Sequence, residues 1–347
     1  MATIQSVSRS PPLKVAVIGA GLIGPRHAQS VISNPSTELV ALVEPSPNGS
    51  SIAASLKTTH YASITDLLTS PHKPDVAIIC TPNHTHVPLS LELISAGIHI
   101  LVEKPISTTL SSGLSLISAA KAQDIQLLVG HHRRFNPYLL STKQGLSSNT
   151  LGKIIAVQGT WCLLKPASYF EGIGSWRQSS ESGETTKSRR FDAEEGAAIL
   201  MRFKSGVVGT FILSDAVPSP WNFETGTGEN PNIPKVEGVD GFYRIMGTKG
   251  SLSVPDLTRW SYEEGATGKV GWNQSLKKEQ LKVEEEKVPF DFQVQHFVDV
   301  VRDGKEPSCT GEEALRALVV CEAVKKAMKC GLPVEIDGFE IRERGKV

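Results

Sequence analysis

Residues 14–24 read KVAVIGAGLIG, and this stretch decides the fold. A β-branched apolar run, KVAVIG, passes with no spacer into Gly19-Ala20-Gly21-Leu22-Ile23-Gly24. Glycines at these three positions permit a tight turn and let backbone N–H groups approach a pyrophosphate at the positive end of the following helix. Ile23, Ala28, Val31 and Ile32 give that helix its apolar stripe. A glycine pattern of this kind also arises as a plain structural turn, so its surroundings carry the argument.

Outward from the loop, LVALVE, DVAIIC, IHILVE and IQLLVG follow at intervals filled by stretches of helical period, such as Val87, Leu91 and Ile94 ahead of Gly97. Short buried runs alternating with helices predict a parallel sheet covered on both faces, a doubly wound Rossmann unit. The second run ends on Glu44, about 20 residues beyond the glycines, where a carboxylate accepts hydrogen bonds from the adenine ribose hydroxyls. No Arg or Lys stands at Pro45, Ser46 or Pro47 to receive a 2′-phosphate, which favours NAD, with NADP the alternative. A solvated strand-end charge is the plainer account of Glu44.

In open parallel sheets ligands sit beyond the carboxyl ends of the strands. Two such ends stand out, CTPNHTH (residues 80–86) and LVEKPIS (residues 101–107). The cofactor candidates are Gly19, Gly21, Leu22, Ile23, Glu44, Thr81, Pro82, Asn83, His86, Glu103 and Lys104; helix capping alone would account for Thr81, Asn83 and Thr85. A lysine at a strand end polarises a carbonyl or exchanges a proton with an alcohol when burial brings its pKa toward neutrality, which makes Lys104 the catalytic candidate. Pro105 restricts Lys104 to extended backbone, and Glu103 either orients the lysine or touches the ribose. An exposed Glu-Lys pair in a turn is the commoner fate of such a dipeptide.

Beyond Pro137 the pattern changes. KIIAVQGTWCLL, EEGAAILMRF, VVGTFILSD, GFYRIMGT and GSLSVP are strand-like and joined in several places by short turns, which predicts an α+β unit with an open, mainly antiparallel sheet. The expected division is a cofactor domain over 1–135 and a substrate and oligomerisation domain over 136–347. Two helices close the chain, one with Phe290, Val294, Phe297, Val298 and Val301 on a face, the other opening on a Thr310/Glu313 capping box and ending at Gly331. His296 reads as a packing residue at the helix boundary, and residues 224–241 as a long connection that borders a pocket or a subunit contact.

Composition bounds the partners. Lys plus Arg equals Asp plus Glu at 36 each, which removes the electrostatic case for nucleic acid or an anionic membrane and leaves a small-molecule substrate. Five cysteines without CxxC spacing argue for reduced thiols in the cytoplasm, the nine histidines form no metal pattern, and no apolar run reaches membrane-spanning length.

The glycine loop, the acidic strand end, CTPNHTH, AGIHILVEKPIS and VGHHRRFNPY stand in the order typical of the glucose-fructose oxidoreductase, inositol dehydrogenase and rhizopine catabolism family, which the chain resembles from about Lys14 to Arg177 and from Phe191 to Ile336. The resemblance implies an NAD(P)-dependent dehydrogenase or reductase acting on a secondary alcohol or carbonyl of a sugar, polyol or related metabolite. It assigns the acid/base role to Lys104. A homo-oligomer, dimer or tetramer, is expected because strands left bare of a pocket wall would expose apolar surface for another subunit to cover. Arg134, Asn136, Tyr169, Trp176 and Arg177 are the substrate candidates, with core or rim packing the alternative for the last three and a solvated face the alternative for HHRR (residues 131–134). Family members commonly carry, after the Trp-Arg matching Trp176-Arg177, a glycine-rich turn and a helix bearing an Asp and a proton-transferring His. Here residues 178–190 read QSSESGETTKSRR, with neither Asp nor His and no apolar stripe. This reads as a deletion relative to the family, so a cofactor-binding sensor or a non-redox member is the second expectation.

Overall fold

The computed structural model describes residues 10–178, 195–262, 271–283 and 288–336. The segment read as a deletion therefore lies outside the described residues, apart from Gln178. Two compact units divide the chain: one takes residues up to His131 together with those from Phe290 onward, the other runs from His132 to Pro289.

In the first unit, β1 (Leu13–Ile18), β2 (Thr37–Val43), β3 (Thr59–Tyr61), β4 (Val76–Ile79), β5 (His99–Glu103) and β6 (Leu127–Gly130) form one parallel sheet in the order β3-β2-β1-β4-β5-β6. The chain reverses its direction of winding between β1 and β4, and the carboxyl ends of these two strands mark the switch point where α/β sheets bind ligands. The helices that lie between these strands in sequence are α1 (Gly24–Ser33), α2 (Gly49–Ser55), α3 (Ile64–Leu68), α4 (His86–Ser95) and α5 (Leu110–Ala122).

Strand period 2 splits the apolar residues into two core layers. Ala16, Ile18, Ala77, Ile79, Ile100 and Val102 face a layer closed by Leu93, Ile94, Leu116 and Ile117 of α4 and α5. Val15, Val17, Leu42, Ile78 and Leu101 face the other, closed by Ala28 and Val31 of α1 and Ala53 of α2. Each layer also takes residues from the end of the chain: Val294 and Phe297 join the α1 layer, Cys309, Ala314 and Leu315 the α5 layer. The boundary expected at 135 thus leaves out a substantial part of this unit. The two terminal helices expected from the apolar stripe and the capping box are present, with the Thr310/Glu313 box formed and Gly331 in the left-handed region at φ 69°.

The second unit starts with α6 (Pro137–Ser147) and contains α7 (Phe223–Thr227) and a seven-stranded sheet: β7 (Ile154–Cys162), β8 (Gly196–Arg202), β9 (Val208–Ser214), β10 (Tyr243–Gly247), β11 (Gly250–Val254), β12 (Thr258–Ser261) and β13 (Lys277–Gln280), in the order β13-β12-β11-β10-β7-β9-β8. All neighbouring pairs are antiparallel except β7 with β9. The terminal helices, α8 (Pro289–Asp303) and α9 (Gly311–Cys330), follow it in sequence.

One face of this sheet buries Phe223, Val239 and Phe242 with Trp161 and Tyr243 packed against them. The opposite face aligns Leu200, Val208, Ile212 and Trp260 through the strand registers, and all four are exposed, Leu200 at 79%. Among the described residues no helix is long and apolar enough to cross a membrane, no group of acidic, His or Cys side chains is arranged to hold a metal, and the five cysteines are thiols.

Candidate functional site

The glycine loop is shaped by contacts that exclude side chains. Gly19 sits at φ +95°, and a Cβ at Gly24 would run into the Gly19 carbonyl oxygen, so the turn closes only without side chains at these two positions. At Gly21 the space a Cβ would occupy is open. α1 starts directly after the loop with no side-chain cap on its N-terminus and no acidic residue in its first turn. A positive helix end without a side-chain cap, beside the open space at Gly21, fits a pyrophosphate.

Glu44 is tied to that loop. Its Oε2 accepts a hydrogen bond from the Ala20 N–H at 2.6 Å and its Oε1 one from Ser46 at 3.0 Å, so the carboxylate is held at the mouth of the glycine turn and is more than a loose strand-end charge. Two bonds leave a carboxylate with acceptor capacity for ribose hydroxyls. Leu22 is exposed beside the loop and Ile23 packs against the α1 core layer.

Thr81, at the end of β4, lies against the Gly19 turn and accepts a hydrogen bond from the Thr85 hydroxyl at 2.6 Å. Neither Thr81 nor Asn83 caps α4, whose N-cap, Thr85, makes no side-chain cap bond; the capping account of these residues therefore does not apply. Pro82 and Asn83 are half-buried in the same turn. His86, expected among the cofactor contacts, is buried and points both ring nitrogens at backbone carbonyls, Nδ1 to Pro105 at 2.7 Å and Nε2 to Thr81 at 2.9 Å. It braces the turns after β4 and β5 against each other. Burial pulls its pKa below the ordinary imidazole value, against the two carbonyls and Glu103, which favour the cation.

Lys104 is exposed, directly follows β5 and precedes a cis peptide to Pro105; the burial expected to tune it is not supplied by its own strand end. Glu103 faces inward instead. It is 6% exposed, with Oε1 2.8 Å from Nε2 of the fully buried His27 and Oε2 accepting the Lys104 backbone N–H at 3.2 Å.

In the second unit the structure corrects one substrate candidate. Asn136 is fully buried, Oδ1 caps α6 by accepting from Tyr138 N–H, and both Nδ2 donors are engaged, to Thr227 Oγ1 at 2.9 Å and Glu229 Oε2 at 3.0 Å. Its burial and these bonds make it an internal tie. Glu229, which sequence reasoning passed over, is the hub: Arg133 Nε donates to it at 2.8 Å and His132 Nε2 lies 3.8 Å away. Burial pushes its pKa up, but the His132 hydrogen bond, the Arg133 charge and the remaining donors outweigh that and hold it at about 2. A lone Glu between Gly228 and Asn230 carries no local signal; only its long connection drew notice.

Tyr169 is flanked by two cations, Lys165 Nζ and the Arg177 guanidinium each 4.4 Å from its ring centre. Arg134 is exposed. Trp176 belongs to the helical turn Gly172–Gln178, and its side chain lies outside the described structure.

Taken alone, the first unit is that of a dinucleotide-binding protein, by its strand order, its loop and its tethered acidic residue. Its residues 13–131 match the model of the oxidoreductase family with an NAD-binding Rossmann fold, and residues 179–336 match that family's C-terminal alpha/beta domain. The chain belongs to this family of NAD(P)-dependent dehydrogenases, as the order of its motifs led us to expect. Among its relatives, inositol 2-dehydrogenase of Rhizobium meliloti is 23% identical over 331 residues, 91% of this chain and 97% of that protein. The scyllo-inositol 2-dehydrogenase (NAD(+)) of Bacillus subtilis is 22% identical over 334 residues, 94% and 96% of the two chains. The fold is shared with the WlbA dehydrogenase of Bordetella pertussis, solved in complex with NADH and UDP-GlcNAcA, at a TM-score of 0.73, 18% identity, and coverage of 94% of this chain and 99% of that one.

Proposed function

We propose that the protein transfers a hydride between NAD and a secondary alcohol or carbonyl of a sugar, polyol or related small metabolite, with Lys104 as acid/base. The observation that carries the reading is the Glu44 carboxylate fixed to the Ala20 N–H at the glycine turn, with no cation at residues 45–47 for a 2′-phosphate. Gly19, Gly21, Leu22 and Ile23 hold the pyrophosphate end, Glu44 the adenine ribose, and Thr81, Pro82 and Asn83 the far side of the turn. A bound nicotinamide supplies hydride acceptance or donation. Lys104 Nζ takes the hydroxyl proton in oxidation and passes it to water; in reduction it gives the substrate oxygen a proton drawn from water. Arg134, Tyr169, Trp176 and Arg177 are the substrate residues of the second unit. The names of the inositol dehydrogenases support a polyol as the first substrate to try.

The exposed sheet face of Leu200, Val208, Ile212 and Trp260 supports assembly of the chain into a homo-oligomer, and the five thiols support a cytoplasmic setting. The absence of Asp and His from residues 178–190 favours one rival reading, a cofactor-bound sensor without turnover. Calorimetric titration with NAD and NADP, followed by a polyol and sugar panel, separates the two. Binding of neither nucleotide removes both; NAD binding without hydride transfer selects the sensor. On an identified substrate, Lys104→Ala lowers turnover by ~10²-fold to 10⁴-fold with little change in NAD affinity, and full retained turnover removes Lys104 from its role.

A further inference from the structure

We propose that His27 is a positioning residue for Lys104, acting through Glu103. The proposal rests on the reading of Lys104 as acid/base but concerns a tether that the chain possesses with or without catalysis. His27 lies in the first turn of α1, the helix that opens on the glycine loop, and is fully buried with the Phe290 ring edge-on at 4.8 Å. Its Nε2 meets Glu103 Oε1 at 2.8 Å across a sequence separation of 76 residues, and the second oxygen of the same carboxylate accepts the N–H of Lys104. One side chain thus joins the helix of the cofactor loop to the backbone from which the lysine departs.

The surroundings are cut to fit this arrangement. At Gly130, the partner of Glu103 in the sheet, a Cβ would press on both the carboxylate and the Cα of Glu103, so the neighbouring strand is left bare where the glutamate turns inward. Burying an imidazole and a carboxylate gives up hydration that an apolar pair of equal volume would never need to recover, so stability alone is a poor account of the pair. What a directed pair supplies is geometry: Glu103 holds a single orientation, and with it the amide of Lys104. The lysine side chain is exposed; Pro105 restricts its backbone, and the bond to Glu103 fixes its amide.

The test reads the tether directly, on the full chain. Hydrogen exchange at the Lys104 amide is compared in wild type, His27→Leu, His27→Gln and Glu103→Gln, with calorimetric NAD affinity and the thermal midpoint measured alongside. Loss of one charge-assisted bond predicts that His27→Leu exchanges the Lys104 amide about 10-fold faster, while core amides such as Val17 keep their rates and NAD affinity stays within about threefold. His27→Gln, which keeps an N–H donor, restores slow exchange. Lys104 exchange equal to wild type in His27→Leu overturns the proposal, as does a uniform rise across the unit or a His27→Gln that behaves like His27→Leu. Should His27→Leu fail to fold, Glu103→Gln carries the same reading, since it weakens both bonds with little change of shape. An active Lys104→Ala would remove the catalytic reading and leave the exchange result standing, so the two failures are distinguishable.

Discussion

Replacing Glu229 with Gln tests the energetics of the second unit at its most charged point. The carboxyl is 5% exposed and its pKa falls from 4.5 to about 2, a difference of roughly 2.5 units. At 1.36 kcal/mol per unit the ionised group contributes on the order of 3 kcal/mol to folding. Because the folded value is the depressed one, this contribution is complete above pH 4.5 and is lost as pH falls toward 2. Glu229→Gln keeps the shape and an acceptor for Arg133 while deleting the charge, so the gap between variant and wild type is about 3 kcal/mol at pH 7 and shrinks by about half by pH 3. Urea unfolding followed by tryptophan fluorescence reads it, since Trp161 packs in this unit with the Arg133 guanidinium 5.9 Å from its ring. A gap under about 1 kcal/mol at pH 7, or one that is the same at pH 5 and pH 3, refutes the argument.

Three further outcomes follow from the geometry. Glu44→Ala weakens NAD binding by about 10-fold or more in calorimetry and leaves NADP binding less affected, because the lost acceptor serves the ribose hydroxyls. Leu200→Glu combined with Ile212→Glu places charge on the exposed sheet face and shifts the sedimenting species toward the monomer if copies meet there. Burial lowers the pKa of His86, His99 and His296, so their contribution is present above the unfolded value of 6.5 and is lost as pH falls from there through their lower folded values. Wild-type stability measured by thermal melting therefore decreases from pH 7.5 to pH 5.5.

The first unit was legible because its signals are local. Each apolar run carries its own strand, the glycines announce a turn, and Thr310 and Glu313 cap a helix three residues apart. β3 escaped notice because Thr59–Tyr61 is too short to show an alternation. β12 and β13 are polar by sequence, TRWS and KKEQ, and are paired by cross-strand partners such as Arg259 and Glu279, whose side chains meet at 2.7 Å. The parallel pairing of β7 with β9 within a sheet expected to be mainly antiparallel depends on long connections that periodicity does not report. At the site, Glu44 and Lys104 announce themselves by position at strand ends. Asn136 was misread because its partners, Thr227 and Glu229, are about 90 residues away.

The return of α8 and α9 to the first unit has a temporal side. A ribosome delivers the six parallel strands early, yet Val294, Phe297, Ala314 and Leu315 emerge only after the whole run from His132 to Pro289. Until then both faces of the nascent sheet lack part of their cover, while the residues from His132 to Pro289 are already complete as a contiguous piece. The nucleotide-binding half is begun before the second unit and completed after it, so a gene cut after residue 135 would encode a six-stranded sheet that lacks part of its cover on both faces.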